Sequence, residues 1–182
     1  MTLTKTLFRK ECLNKMKKSP YFNRIYKNNL LNKKLKYLLK GVKNKNILMY
    51  FPLKDELDIR KSIKILRKNN NVLLPFMQNT SFKVVPFRLP LQKKKFNIYE
   101  AGNSLKKINN IDIAIVPVVG IDGNLQRVGF GKGMYDRFFA KLKKRPYTIF
   151  IQIDLCHTKE QLCSSYDIEA DLVLTPKTML YP

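Results

Sequence analysis

Arg127-Val-Gly-Phe-Gly-Lys-Gly-Met-Tyr-Asp-Arg137 is the stretch whose reading decides the fold. Its glycines at 129, 131 and 133 alternate with bulkier residues; lacking a Cβ, they can take φ > 0 and let a ligand approach their bare amides. From Tyr135 the apolar spacing turns helical, with Phe138, Phe139 and Leu142 following at i+3, i+4 and i+7. Upstream, residues 111–119 form a β-branched, apolar run, and Asp122-Gly123-Asn124 is a turn signal. The order is strand, turn, glycine loop, helix. It sets a lysine and two arginines beside the free N–H groups of a helix start, and so reads as a phosphate-handling loop.

Outward from that loop the chain alternates. Residues 4–18 read as a helix with Leu7, Phe8, Cys12 and Met16 near one face, and residues 21–40 as a second helix stopped by Gly41. Short apolar runs at 47–51, 72–76, 82–87, 111–119, 147–153 and 172–174 read as strands. Helices are expected at 58–68, 135–144 and 158–163, the last on a Thr158-x-x-Gln161 capping box. Such alternation predicts a three-layer α/β/α fold with a mostly parallel central sheet, residues 1–182 forming one domain. The Pro-, Lys-, Asn- and Gly-rich segment 88–108 reads as a long mobile loop.

Composition narrows the class without naming a chemistry. At 182 residues and 45% hydrophobic content, one core is expected and a second is not. No apolar h-region follows the first lysines and no run approaches a membrane span, so neither secretion nor a membrane partner is expected. Three cysteines without a paired framework suggest a reducing, cytoplasmic compartment. The charge of +23, from 36 basic and 13 acidic residues, is the balance of a nucleic-acid binder. Yet the lysines are spread along the chain, at Lys15, Lys17, Lys18, Lys33, Lys34, Lys43, Lys64, Lys93, Lys94, Lys95, Lys106 and Lys143, often beside asparagines. That favours a solvated compositional bias over a dedicated face, with weak adventitious polyanion binding and no specific nucleic-acid partner.

Two familiar phosphate motifs fail on spacing: a Walker A loop needs four residues between its first glycine and Gly-Lys-Ser/Thr, and a dinucleotide loop needs its third glycine three positions after the second. The segment instead resembles the signature of the 5-formyltetrahydrofolate cyclo-ligase family, Arg-Leu-Gly-x-Gly-x-Gly-Tyr-Tyr-Asp, with Met134 the clear departure. Lys5-Thr-Leu-Phe-Arg9 resembles that family's Lys-x-x-x-Arg element, and residues 47–56 resemble its strand ending in a substrate-facing glutamate, Glu56. Leu73-Leu-Pro-Phe76, Arg145-Pro-Tyr-Thr-Ile149, Tyr166-Asp167 and Asp171-Leu-Val-Leu-Thr175 follow in the family's order.

The resemblance implies an ATP- and Mg2+-dependent enzyme, acting as a monomer, that converts 5-formyltetrahydrofolate, with or without a polyglutamate tail, to 5,10-methenyltetrahydrofolate, releasing ADP and phosphate. It implies ATP contacts from Lys5, Arg9 and the loop Arg127, Val128, Gly129, Phe130, Gly131, Lys132, Gly133, Met134 and Tyr135. Folate contacts are implied for Phe51, Glu56, Phe130, Gly131, Lys132, Gly133 and Met134, magnesium ligation for Asp136 and Asp167, and charge neutralisation in catalysis for Lys132 and Arg127.

Each residue also has a plainer reading. Lys5 and Arg9 share a helix face and could be solvated; Glu56 could be a strand-end surface carboxylate, although a carboxylate suits the paired N–H donors of a pterin ring; Asp136 suits any helix start. Arg127 and Lys132, set among glycines, have little else to pair with. Cys156, His157 and Cys163 fail as a metal or nucleophile set because no second ligand pair exists and His157 is the one histidine, so all three read as structural. Two other functional readings remain. Residues 128–135 superficially resemble the RNP1 strand of an RNA-binding module, with Lys132 and Gly133 where an aromatic and a β-branched residue are needed; a generic nucleotide-binding kinase-like protein would share the loop but not Glu56.

Overall fold

The computed structural model describes residues 2–18, 21–93, 99–104, 108 and 110–182. Helix α1 (Lys5–Lys17) starts where Thr4 accepts the Leu7 amide on its hydroxyl at 3.2 Å, and it buries Phe8, Cys12 and Met16 as one stripe. Helix α2 (Tyr21–Leu38) buries Leu31 and Leu35, and the chain leaves it through Gly41 at φ 81°. Strand β1 (Asn46–Leu48) follows, then α3 (Arg60–Leu66), β2 (Asn71–Gln78) and β3 (Ser81–Pro86). The remaining elements are β4 (Gln92–Lys93), β5 (Tyr99–Glu100), β6 (Ile113–Pro117), β7 (Gly120–Ile121), β8 (Arg127–Val128), α4 (Met134–Phe139), β9 (Tyr147–Ile151), β10 (Leu172–Leu174) and β11 (Met179–Leu180).

Seven strands form the main sheet in the order β11-β10-β9-β6-β1-β2-β3. The five inner strands are parallel to their neighbours, and the edge strands β3 and β11 are antiparallel. Side chains alternate across a strand, so a sheet covered on both faces must be apolar at successive positions. Ile47, Val72, Leu74, Ile115, Ile149, Ile151, Leu172 and Leu174 face one cluster, packed under α1, α2 and α3. Leu48, Leu73, Ala114, Val116, Phe150 and Val173 face the other, covered by Phe138 of α4 and by Ile121 and Leu125 of the β7–β8 hairpin. The expected three-layer, mostly parallel arrangement is thus present, with the second helical layer reduced to one short helix.

The differences from the sequence reading lie in the connections. The expected helix at 158–163 is absent: the Leu162 and Cys163 amides donate to Asp122 Oδ2 at 3.0 and 2.8 Å, and Thr158 Oγ1 accepts only the Glu160 amide. Helix α4 stops at Phe139 rather than 144, where Lys141 and Leu142 bond three residues back. Within 88–108, expected to be a mobile loop, β4 and β5 pair as a small ribbon; Lys94, Lys95 and Lys106 lie outside the described residues. Cys12 and Cys156 form a disulfide across 144 residues, with Cα atoms 5.8 Å apart, leaving Cys163 free, so the cysteines do not support the expected reducing compartment. Among the described residues no helix is long and apolar enough to cross a membrane.

Asp122, which the sequence marks only as a turn residue, is fully buried and holds the hairpin to the 160s segment. Besides Leu162 and Cys163, it accepts the amides of Asn124 at 3.0 Å and Gln126 at 2.9 Å. Asp122→Ala leaves those donors buried without an acceptor and is expected to cost at least ~3 kcal/mol in urea unfolding. A loss under ~1 kcal/mol would show that water replaces the carboxylate.

Candidate active site

A cleft of about 360 Å³ opens where Arg127, Gly129, Gly131 and Gly133 meet the start of α1 and the 166–167 segment. The Thr4 cap fixes α1 so that Lys5 and Arg9, one turn apart, both reach it. Lys5 Nζ pairs with Asp167 Oδ2 at 2.6 Å, and Arg9 Nε donates to the Gly129 carbonyl at 2.9 Å. Burial disfavours the Lys5 ammonium, but the hydrogen bond it donates to Asp167 and the nearby Cys163 outweigh that and hold its pKa above the ordinary lysine value. Burial pushes the Cys163 thiol up to about 12, which removes it as a thiolate nucleophile.

Beneath the loop lies Arg127, 4% exposed. Its Nη1 meets Asp136 Oδ2 at 3.3 Å, Nη2 donates to the Pro117 carbonyl at 3.4 Å, and the guanidinium stacks 5.0 Å from the centre of the Tyr135 ring. Arg127 Nε and Asp136 Oδ1 are buried without a hydrogen-bond partner. The glycines divide two tasks. A Cβ at Gly129 would sit 2.3 Å from Arg127 Nη1, so this glycine is required by the buried guanidinium rather than by its φ. Gly131 and Gly133 turn the chain at φ 102° and 56°. Arg137 holds the turn from outside, donating through Nη2 to the Lys132 carbonyl and through Nε to the Thr80 carbonyl at 2.6 Å.

A much smaller gap, of about 10 Å³, lies against Phe130, which is 40% exposed. Pro117, Val118, Ile151 and Ile153 from the ends of β6 and β9 line it, with Tyr50, whose hydroxyl donates to the Leu57 carbonyl at 2.9 Å. Glu56 stands in this gap with Asp55, its Oε2 accepting the Leu53 amide at 2.9 Å. Desolvation pushes its pKa up to about 7, against the Leu53 hydrogen bond and the charge of Arg127.

The structure brings Lys5, Arg9, Arg127, Gly129, Gly131, Gly133, Asp136 and Asp167 to one cleft and Phe130 and Glu56 to the smaller gap. It corrects one expectation: Arg127 is not short of partners, because its charge is taken by Asp136 and Tyr135. Lys132 is exposed on the outer bend, Val128 is core, and Tyr135 packs edge-on against Phe82 at 4.9 Å. Met134 packs on the Phe82 and Phe138 cluster, its sulfur 3.6 Å from Arg137 Nη2, and lines neither cavity. Phe51 stacks at 5.6 Å on Tyr99, outside the gap. The implied site residues leave out Tyr166, 72% exposed on the cleft wall, and Arg137, whose bonds to backbone carbonyls shape the loop. Residues 129–133 form a loop, not the strand that the RNP1 reading requires.

A parallel sheet with a cationic, glycine-rimmed cleft at the carboxyl ends of its strands defines a ligand-binding α/β protein of the open-sheet class. Within that class the chain belongs to the 5-formyltetrahydrofolate cyclo-ligase family, whose family model matches residues 2–176; with that membership it is an enzyme, a cyclo-ligase. It is 28% identical over 127 residues to the 5-formyltetrahydrofolate cyclo-ligase of Haemophilus influenzae, an alignment covering 65% of this chain and 66% of that one. The Mycoplasma genitalium cyclo-ligase is 26% identical over 147 residues, 79% and 81% of the two chains. The 5,10-methenyltetrahydrofolate synthetase structures of Mycoplasma pneumoniae and Aquifex aeolicus superpose with TM-scores of 0.73 and 0.77, each at 23% identity. They cover 96% and 98% of this chain, and 99% and 93% of their own lengths are matched.

Half-buried Glu56 sets a pH dependence of stability. A carboxyl with a raised folded pKa binds its proton more tightly in the native state, so its contribution favours folding at low pH and is lost as pH rises from 4.5 to about 7. Glu56→Gln removes that loss. The variant should match the parent near pH 4.5 and exceed it by roughly 1–3 kcal/mol above pH 8 in urea unfolding. A difference that does not change with pH would mean that Glu56 is solvated.

Proposed function

We propose that the chain, as one domain and a monomer, converts 5-formyltetrahydrofolate to 5,10-methenyltetrahydrofolate with ATP and magnesium, releasing ADP and phosphate. The observation that carries this reading is a cleft rich in cations and bare glycine amides, suited to phosphates, whose loop also sets Phe130 beside the Glu56 carboxylate, a group suited to N–H donors. The reaction needs that adjacency. A formyl oxygen is a poor leaving group, and receiving the γ-phosphoryl of ATP makes it a good one, after which N10 attacks the activated carbon and closes the ring. Family membership and the named relatives support the same substrate.

The protein's part in such chemistry is positioning and charge neutralisation. Lys5, Arg9 and Lys132, with the amides of Gly129, Gly131 and Gly133, would hold the phosphates, and Arg127 would neutralise developing charge from below. Glu56, ionised above about pH 7, would accept the pterin N–H groups while Phe130 and Pro117 exclude water. Asp136 and Asp167 fit a magnesium ion: both line the cleft, and the buried Oδ1 of Asp136 lacks a partner. Among the described residues no group of three His, Cys, Asp or Glu converges, so phosphate oxygens and water would complete its shell. Bound there, magnesium would bridge and neutralise phosphate oxygens. Because each carboxylate already faces a cation, Asp167 against Lys5 and Asp136 against Arg127, ligand binding would exchange partners rather than create charge in a dry site.

Purified protein given 5-formyltetrahydrofolate, ATP and magnesium should develop the near-ultraviolet band of the conjugated methenyl product; no band with active reagents would sink the reading. Asp136→Asn keeps an oxygen for Arg127 but not the charge. Its kcat should fall at least about tenfold while folate affinity stays within about twofold. Equal losses in both would remove Asp136 from the metal role, and a matched melting curve separates either result from misfolding.

A further inference from the structure

We propose that the edge of the sheet opposite the cleft binds single-stranded nucleic acid, with RNA as the probe, through its phosphate backbone, independently of the cyclo-ligase reading. Strands β2, β1, β6 and β9 are neighbours and parallel, so the segments leading into them lie side by side along one rim. Those segments are Arg67-Lys-Asn-Asn70, Lys43-Asn-Lys45, Asn110-Ile-Asp112 and Lys143-Lys-Arg145. They are joined in a continuous row. Asn71 N donates to the Lys45 carbonyl at 2.9 Å, Asn46 Nδ2 to the Asn110 carbonyl at 2.9 Å, and Tyr147 N to the Asp112 carbonyl at 3.0 Å.

Charge along this rim is unbalanced. Asp112 and Asp171 are the carboxylates that enter its hydrogen bonding, and each is taken, by Lys45 at 3.7 Å and Arg145 at 2.7 Å. Lys43, Arg67, Lys68, Lys143 and Lys144 are exposed, and among the described residues none of them forms a salt bridge. A hollow of about 560 Å³ between the first two segments is lined by Lys43, Arg67, Lys68 and four asparagines, with no carboxylate. The active-site cleft, by contrast, matches cations with Asp136 and Asp167.

Three features favour a single nucleic-acid strand over a duplex. Neighbouring strands stand about 4.8 Å apart in a twisted sheet, so the cations follow a curved line that a flexible chain tracks better than a stiff duplex. Asparagine amides can donate to phosphates and to exposed base edges. Tyr147, the first residue of β9, is 44% exposed beside Lys143 and Lys144 in sequence and offers a stacking surface that a duplex, with its bases hidden, could not use.

The test is fluorescence anisotropy of a labelled 15-mer of uridine against the full chain over a salt series. Lys43→Glu/Lys68→Glu/Lys144→Glu should weaken binding at least tenfold and make the log–log salt slope shallower by about 2, as three lost phosphate contacts require for a single strand. A control triple with the same change in charge, Lys17→Glu/Lys33→Glu/Lys159→Glu, should lose less than threefold; equal losses would show a net-charge effect and overturn the rim. Tyr147→Ala should lose about fivefold or more for RNA and nothing for heparin. If RNA and heparin respond alike to all three variants, the surface is a general polyanion trap and the proposal fails. Melting temperature on each variant, with Lys68→Glu alone as the gentler change, keeps the comparison valid should the triple unfold.

Discussion

The site depends on one buried cation. Arg127 leaves β8 into the space between the sheet and the glycine loop, where an uncompensated charge would cost several kcal/mol, and everything around it is arranged to prevent that. Asp136 supplies the opposite charge, Tyr135 a ring face and Pro117 a carbonyl. Gly129 is glycine because the guanidinium fills the space where its Cβ would be. The loop that reads as a phosphate cradle is therefore also the lid of a buried ion pair. Removing either partner would strand the other, at a typical cost of about 3–5 kcal/mol. Two atoms remain unpaired in this arrangement, Arg127 Nε and Asp136 Oδ1. Orphaned polar atoms at a cleft wall mark where a ligand completes what the fold leaves unfinished.

A parallel sheet supplies the rest of the geometry. Because β6 and β9 run side by side, the turns after Pro117 and Ile151 emerge together, and the gap holding Glu56 forms between them. The β7–β8 hairpin returns the chain across that exit and delivers Arg127 to the same place. Helix α1 is brought from the far end of the chain over β7, where Phe8 and Cys12 pack against Gly120 so closely that a Cβ there would clash, 2.8 and 2.9 Å from them. That contact carries Lys5 and Arg9 to the loop from more than a hundred residues away in sequence.

The legible parts of the sequence were those where a local pattern suffices. Unbroken apolar runs such as Ile47-Leu48-Met49 or Ile149-Phe150-Ile151 can satisfy only a sheet covered on both sides, and Gly41 marks a helix end by its own chemistry. The failures were long-range. Thr158-x-x-Gln161 looks like a cap until Asp122, forty residues earlier, claims the amides that a helix would use. Cys12 and Cys156 cannot be matched by counting, because only the docking of α1 brings them together. The glycine stretch announced a cleft, yet the pairing of Arg127 with Asp136 was invisible, since spacing does not say which way a guanidinium points. Met134 was placed in the site by its neighbours in sequence, whereas the turn at Gly133 sends it toward Phe82 and Phe138.

The excess of 36 basic over 13 acidic residues acquires a direction once the fold is known. At the carboxyl ends of the strands, Asp136 and Asp167 stand opposite Arg127 and Lys5, and Asp122 satisfies backbone amides. Acids are spent there on organising a ligand cleft. At the amino ends, Asp112 and Asp171 each answer one cation, Arg67 lies over the Phe87 ring at 4.9 Å, and Lys43, Lys68, Lys143 and Lys144 remain in solvent. Parallel strands make that segregation possible, since all of their starts share one edge and all of their ends the other. Like charges on such an edge repel, a cost screened over about 8–10 Å of salt solution and relieved further by a bound polyanion. The same sheet thus separates two electrostatic environments, one where carboxylates partly balance the cations, the other cationic and open.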